Sequence, residues 1–264
     1  MSLLEKLRVK DFRRPMLLML YGPIGCGKTS LGACFKDSAF VVTPKERGID
    51  QVVSRGEVAE DYPVFNAPNW TELMKLIDTL VSEDHGYKTL VFDSLSSMQE
   101  QAFEFVCATK YDDDMSKFNH FCKGHRDTEG PWSVFMQKME GLRDKGINVV
   151  LIAHATTRQI DHPVHGAYTM YLPDLYDSDK QGSLLKPTLK HCTDIGFIEF
   201  ATAVNKEGKA SGGTKRVLHF QRTAAWEAKN QRGIKQPIVL GDDSAKTAFA
   251  ALQTAFKTAA KKGE

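Results

Sequence analysis

Between the apolar run Met16-Leu-Leu-Met-Leu-Tyr21 and the first helical stretch lies Gly22-Pro-Ile-Gly-Cys-Gly-Lys-Thr29, which fits the pattern G-x-x-x-x-G-K-[ST]. No other feature restricts the fold as much. The pattern works only as a loop joining a buried strand to a helix N-terminus, so it commits the chain to an α/β sheet with the loop at the carboxyl end of a strand.

The residue types in this loop specify its chemistry. Gly22, Gly25 and Gly27 let backbone N–H groups turn toward phosphate oxygens, and Pro23, Ile24, Cys26 and Ser30 complete the expected cradle. Lys28 brings a point charge to the β- and γ-phosphates, with ATP the expected nucleotide, and the Thr29 hydroxyl is the expected ligand of Mg²⁺.

Strand and helix patterns alternate through the first 155 residues. Short apolar runs predict strands at Ala39–Thr43, Thr89–Asp93 and Ile147–Ala153, and 3.6-residue spacing predicts helices over 71–82, 98–110 and 131–145. Connections of that size imply parallel pairing with right-handed crossovers. Asp93 closes its strand 65 residues after Lys28, where a carboxylate would hold the metal through water, while Ser94 or Ser96 could cap the next helix. Glu46, just past the Ala39–Thr43 strand, is the candidate general base for hydrolysis. His154 ends the Ile147–Ala153 strand and is the candidate γ-phosphate sensor.

The predicted organisation is an N-terminal segment over 1–15, a core over 16–240, and a C-terminal helix and tail over 241–264. Within the core, 155–192 carries Pro163, Gly166, Pro173 and Pro187 and is expected to be a long irregular loop. Asp194–Val204 and Thr214–Arg222 form an expected antiparallel hairpin around the Gly-rich 205–213. Phe249, Leu252 and Phe256 line one side of a terminal helix over 244–262.

Composition narrows the partners. The 264 residues carry 35 Lys plus Arg against 33 Asp plus Glu, so net charge alone announces neither nucleic acid nor a membrane surface. Five scattered cysteines without a Cys-x-x-Cys pair point to reduced thiols and a cytoplasmic setting, and the early apolar run is too short for a membrane span. His120, Cys122 and His125, with Cys107, are candidate zinc ligands, but no second ligand pair has the usual spacing.

The loop, the acidic residue after the second strand, the strand ending Asp-Ser, the strand ending in a polar sensor and the late Lys229-Asn-Gln-Arg-Gly233 together resemble the RecA-like ATPase core. The agreement is greatest with the short phage nucleotide-binding ATPases of the Sak group, associated with single-strand annealing and recombination. The resemblance implies a three-layer α/β fold with a mainly parallel sheet and a C-terminal antiparallel hairpin. It implies ATP hydrolysis with Mg²⁺, and a homo-oligomeric ring or filament in which Lys229 and Arg232 reach a neighbour's nucleotide. For a phage-encoded chain the compartment would be the host cytoplasm. This family commonly spaces those basic residues as Lys-x-Arg-x-Gly, and this chain departs from it.

Single-stranded DNA is the implied partner, with contacts expected between Thr156 and His191, where Tyr168 and Tyr171 could stack on bases. Lys and Arg there are matched by Asp, whereas 205–235 holds eight Lys or Arg against Glu207 and Glu227, a net of +6. Phe256-Lys-Thr-Ala259 echoes a polymerisation tether. Two alternatives stay open: a nucleotide-dependent switch that binds an annealing or single-strand-binding protein, and a small-molecule kinase.

Overall fold

A computed structural model describes residues 15–162, 164, 166–204, 210–241 and 244–261. The first 14 residues and the turn segment carrying Lys206, Glu207 and Lys209 lie outside these.

Strand β1 (Leu17–Gly22) is buried along its whole length because both faces of the sheet are covered. Leu17, Met19 and Tyr21 enter one apolar cluster, and Leu18 and Leu20 the other, which explains the unbroken apolar run. There follow α1 (Lys28–Ala33), β2 (Ser38–Val42), α2 (Gly48–Ser54), β3 (Val64–Asn66) and α3 (Trp70–Ser82), whose first turn is capped by Asn69 accepting from the Glu72 N–H. Strand β4 (Thr89–Asp93) leads into α4 (Leu95–Lys110), capped by Ser94. Two short helices, α5 (Met115–Asn119) and α6 (Lys123–Asp127), precede α7 (Glu129–Asp144), after which Gly146 turns the chain at φ +89°.

The rest comprises β5 (Asn148–His162), β6 (Gly166–Pro173), β7 (Asp177–Ser178), β8 (Gly182–Ser183), α8 (Leu185–His191), β9 (Asp194–Val204), β10 (Ala210–His219), β11 (Ile238–Gly241) and α9 (Ala245–Lys261). The main sheet runs β11-β10-β9-β1-β5-β4-β2-β3. Strands β9 through β3 in that order are parallel, and β10 and β11 add antiparallel to the β9 edge. Helices α3, α4 and α7 cover one face and α1, α2 and α9 the other, giving the three layers. Among the described residues no helix is long and apolar enough to cross a membrane.

One expectation is corrected. The stretch 155–192 is not an irregular loop: β5 continues past His154 to His162, and β6 returns beside it, pairing Ala155 with Pro173 through His162 with Gly166. Gly166, at φ +75°, makes the turn, and Pro173 ends the returning strand. Of the residues read as loop punctuation, Gly166 and Pro173 therefore bound a hairpin, Pro187 lies within α8, and Pro163 falls outside the described residues.

The strand order aligns the site. Strand β5 lies between β1 and β4, with Gly22 level with His154, Asp93 level with Ile152, and Val42 level with Asp93 on the other side.

Candidate active site

The loop after β1 has the shape its glycines require. Gly25 and Gly27 both take φ +81°, a left-handed backbone that a side chain would strain. At Gly22 a Cβ would lie 2.3 Å from the Ile198 carbonyl oxygen, so only glycine lets β9 pass this close. Lys28 is 6% exposed, and its Nζ donates to the carbonyls of Gly22 (2.9 Å) and Pro23 (2.8 Å), which holds the ammonium over the loop. Buried Cys26 lies beneath it, and Ile24 at the tip is exposed. Ser30, one turn into α1, accepts from Arg55.

Thr29 and Asp93, the two candidate metal-holding residues, meet directly: Thr29 Oγ1 donates to Asp93 Oδ2 at 2.7 Å. Gly48 leaves room for this threonine, since a Cβ there would fall 2.8 Å from its Oγ1. Asp93 is 4% exposed, and burial pushes its carboxyl up to about 6 despite the hydrogen bond from Thr29. A carboxylate buried against one neutral hydroxyl favours a cation beside it, so this donor set fits Mg²⁺. Ser94, not Asp93, caps α4, which leaves Asp93 available for that role.

Glu46 sits four residues past the end of β2 and is fixed to the β4–α4 junction by the Ser94 hydroxyl, which donates to Oε1. Thr43 donates to Ser97 Oγ and ties the same two segments together. His154 Nε2 lies 3.6 Å from Glu46 Oε1. That imidazole is the largest influence holding Glu46 below the ordinary carboxylate range, against the opposing effect of burial, so Glu46 is ionised at neutral pH. The backbone of His154 is also tied in: its N–H donates to Ser96 Oγ and its carbonyl accepts from the Asp174 N–H, at the end of the β5–β6 hairpin.

Lys28, Thr29, Glu46, Asp93 and His154 thus border one cleft of about 330 Å³. Lys229 and Arg232 are not brought to it. Lys229 Nζ donates to the carbonyls of Leu189 (3.1 Å) and Lys190 (3.2 Å), closing the end of α8. Arg232 Nε meets Asp194 Oδ2 at 3.1 Å, and its guanidinium lies 4.6 Å from the centre of the Phe256 ring. Neither is a solvated surface charge.

Some of the expected DNA-binding cations are engaged as well. Arg158 pairs with Asp177, Lys186 with Asp179, and Arg222 with Glu227. Tyr171 is 40% exposed and stacks on Phe197 at 5.1 Å, in a column that continues through Trp226 to His219. Among the described residues no group of three or more His, Cys, Asp or Glu is placed to hold a metal ion, the candidate zinc ligands His120, Cys122, His125 and Cys107 included. His125 instead stacks on Tyr176 at 4.4 Å and packs edge-on to Phe103.

Two contributors escaped the sequence reading. Gly48 marks itself only as the first residue of α2, and Arg216 is hidden in a charge-rich stretch until the sheet order carries β10 to the loop. No curated protein matches the chain. A family model described as an AAA domain matches residues 14–232, which spans the loop, all the strand ends around it and Arg232; the chain belongs to this AAA-domain family of P-loop ATPase-like proteins.

Proposed function

We propose that the protein is a Mg²⁺-dependent ATPase that acts on single-stranded DNA, in the recombination and annealing setting implied by its resemblance to the short phage ATPases. The ATPase part is carried by one observation: Lys28, the Thr29–Asp93 pair and an ionised Glu46 converge on a single cleft from the ends of β1, β4 and β2. A small-molecule kinase has no comparable support.

Each side chain has a distinct task. Lys28 exchanges its carbonyl partners for phosphate oxygens, which a flexible ammonium does at little strain. Thr29 and Asp93 would hold Mg²⁺, which when bound screens the phosphate charge and makes the phosphorus more electrophilic. Glu46 takes the proton from the attacking water on its carboxylate. His154 keeps that carboxylate ionised and oriented.

The DNA part rests on what lies behind His154. The β5–β6 hairpin continues from the sensor position, and the Tyr21 hydroxyl, at the base of the phosphate loop, donates to the carbonyls of Tyr171 (3.2 Å) and Glu227 (2.6 Å). A change at the loop therefore has a direct mechanical path to Tyr171, whose half-open ring suits base stacking. The pairing of Arg158, Lys186 and Arg222 favours the second reading, a nucleotide-dependent switch that binds an annealing or single-strand-binding protein.

ATP turnover measured with and without oligothymidylate separates the two. Severalfold stimulation supports action on DNA. Turnover unaffected by DNA, with no salt-dependent DNA binding, removes DNA but leaves the ATPase. Lys28→Ala in folded protein should reduce turnover by at least about a hundredfold, and unchanged turnover would overturn the site itself.

A further inference from the structure

A second cleft, of about 610 Å³, opens on the other side of the phosphate loop and shares Gly25, Gly27, Ser30 and Arg55 with the first. Its far wall comes from Phe200, Thr214 and Arg216 on β9 and β10 and from Ser244, Ala245 and Lys246 at the start of α9. We propose that this cleft takes the nucleoside half of the bound nucleotide, that Arg216 is a second cation for its phosphates, and that the C-terminal unit of β11 and α9 is part of the nucleotide site. The inference rests on the reading of the Gly22–Ser30 loop as a phosphate site. It goes beyond family membership, because β11 and α9 lie outside the matched residues 14–232.

Strand alternation explains how Arg216 arrives there. Arg216, Leu218 and Phe220 share a face; the last two are buried in the cluster beneath α1 and α9, and Arg216 stands opposite Phe200, beyond the end of that core. Its Nη1 lies 2.4 Å from where a Cβ of Gly27 would be, so the guanidinium rests on the bare backbone of the loop. Gly27 is thus required twice, for its positive φ and for this approach. Arg216 Nε donates to the Gly241 carbonyl at 3.2 Å, which ties it to β11. Among the described residues no carboxylate pairs with Arg216. An arginine fork that is half-buried, without a carboxylate partner among the described residues, and laid against a phosphate loop is suited to phosphate oxygens.

The chemistry of the cleft fits a nucleotide. Arg55, Arg216 and Lys246 outnumber Glu57 at the rim, while Ala33, Val58, Phe200 and Ala245 supply the apolar and aromatic surface that a base and ribose require. The wall is fixed to the loop it serves: Phe249 of α9 meets Phe35, just past α1, ring edge to face at 4.8 Å. Nucleotide held between α1 and α9 would therefore contact two elements that are already packed together.

Calorimetric titration of the full chain with ADP and with inorganic tripolyphosphate, both with Mg²⁺, tests each part. Ala245→Trp fills the cleft and should weaken ADP at least about tenfold while leaving tripolyphosphate within about twofold. Arg216→Ala should weaken both by about tenfold or more, with Arg216→Lys recovering part of the loss. Lys246→Glu, an exposed change without packing consequences, should weaken both severalfold at low salt. Thermal melting checks that each variant is folded. ADP affinity unchanged in Ala245→Trp overturns the nucleoside cleft, and affinity for both probes unchanged in Arg216→Ala overturns the second phosphate cation. Wild-type protein that binds neither probe defeats the loop reading itself, an outcome distinct from the other two.

Discussion

Asp93 and Asp194 are both buried aspartates at strand ends, 4% and 1% exposed, yet they sit in opposite circumstances. Asp194 begins β9 level with Leu18, four residues or roughly 13 Å along β1 from Gly22, at the end of the strands away from the phosphate loop. It accepts from Thr193 Oγ1, the Gln231 N–H and Arg232 Nε, so its charge is compensated within the chain. Asp93 ends β4 against the Thr29 hydroxyl and is pushed up to about 6. The fully paired aspartate holds the C-terminal segment in place; the under-compensated one faces a cleft and favours an incoming cation.

The largest expected effect belongs to the cleft edge. Glu46→Gln keeps the shape and the Ser94 contact but removes the charge, so turnover should fall about a hundredfold or more with ATP affinity nearly unchanged. Single-turnover kinetics beside equilibrium binding read the two separately. Equal loss of both would move Glu46 to the holding group.

At the opposite edge the effect should be on stability. Arg232→Ala strands the buried Asp194 charge, which should lower stability by on the order of 3 kcal/mol and the melting temperature by several degrees. Adding Asp194→Asn should restore part of that loss, because it removes the stranded charge. The comparison breaks if folded Arg232→Ala instead loses turnover that mixing with Lys28→Ala subunits restores. That result would put the arginine in a neighbour's site, as the resemblance to ring- and filament-forming ATPases implies.

Asp93→Asn should act in the reverse sense to the Arg232 variant. Burial raises the folded Asp93 above its ordinary 3.8 to about 6, so the folded state binds the proton more tightly, and stability falls as pH rises from about 4 to about 6. The full difference is worth about 3 kcal/mol, and the amide should recover about 2 of it above pH 7 and none below pH 4. Melting curves across that range, without nucleotide, measure it. A destabilised variant at pH 8 would return Asp93 to the same class as Asp194.

The two edges also differ in how far sequence alone reveals them. The cleft side is legible because its residues are tied to local pattern: Lys28 and Thr29 follow three glycines, and Asp93 and His154 end apolar runs buried on both faces, which brings them to the same end of the sheet as the loop. The far edge depends on pairings remote in sequence. Asp194 meets Arg232 only after β9 pairs with β1, and nothing near either residue signals it. The same limit hid the hairpin after His154: Thr156, Thr157, Arg158 and Gln159 lack an apolar face because β5 there has left the main sheet and pairs with β6 alone. The three-residue edge strand β3, with no fully buried side chain, was equally silent.

His154→Leu should give the smallest effect, and it tests the link between His154 and the Glu46 carboxylate that faces the cleft. His154 lies beside Glu46 as a partly exposed partner, a contact worth about 1 kcal/mol, so turnover at neutral pH should fall only about fivefold. The pH profile is the more informative readout. Rate falls with decreasing pH as Glu46 gains a proton, and His154 is the main reason that this carboxylate stays ionised below its ordinary range. Leucine cannot donate the hydrogen bond that contributes most to that stabilisation, so Glu46 should protonate at a higher pH and the acid limb of turnover should move upward. A merely structural histidine would lower the rate by the same factor at every pH and leave the limb where it was. If the limb moves down instead, His154 raises rather than lowers the proton affinity of Glu46, and the assignment of Glu46 as the base that His154 keeps ionised fails.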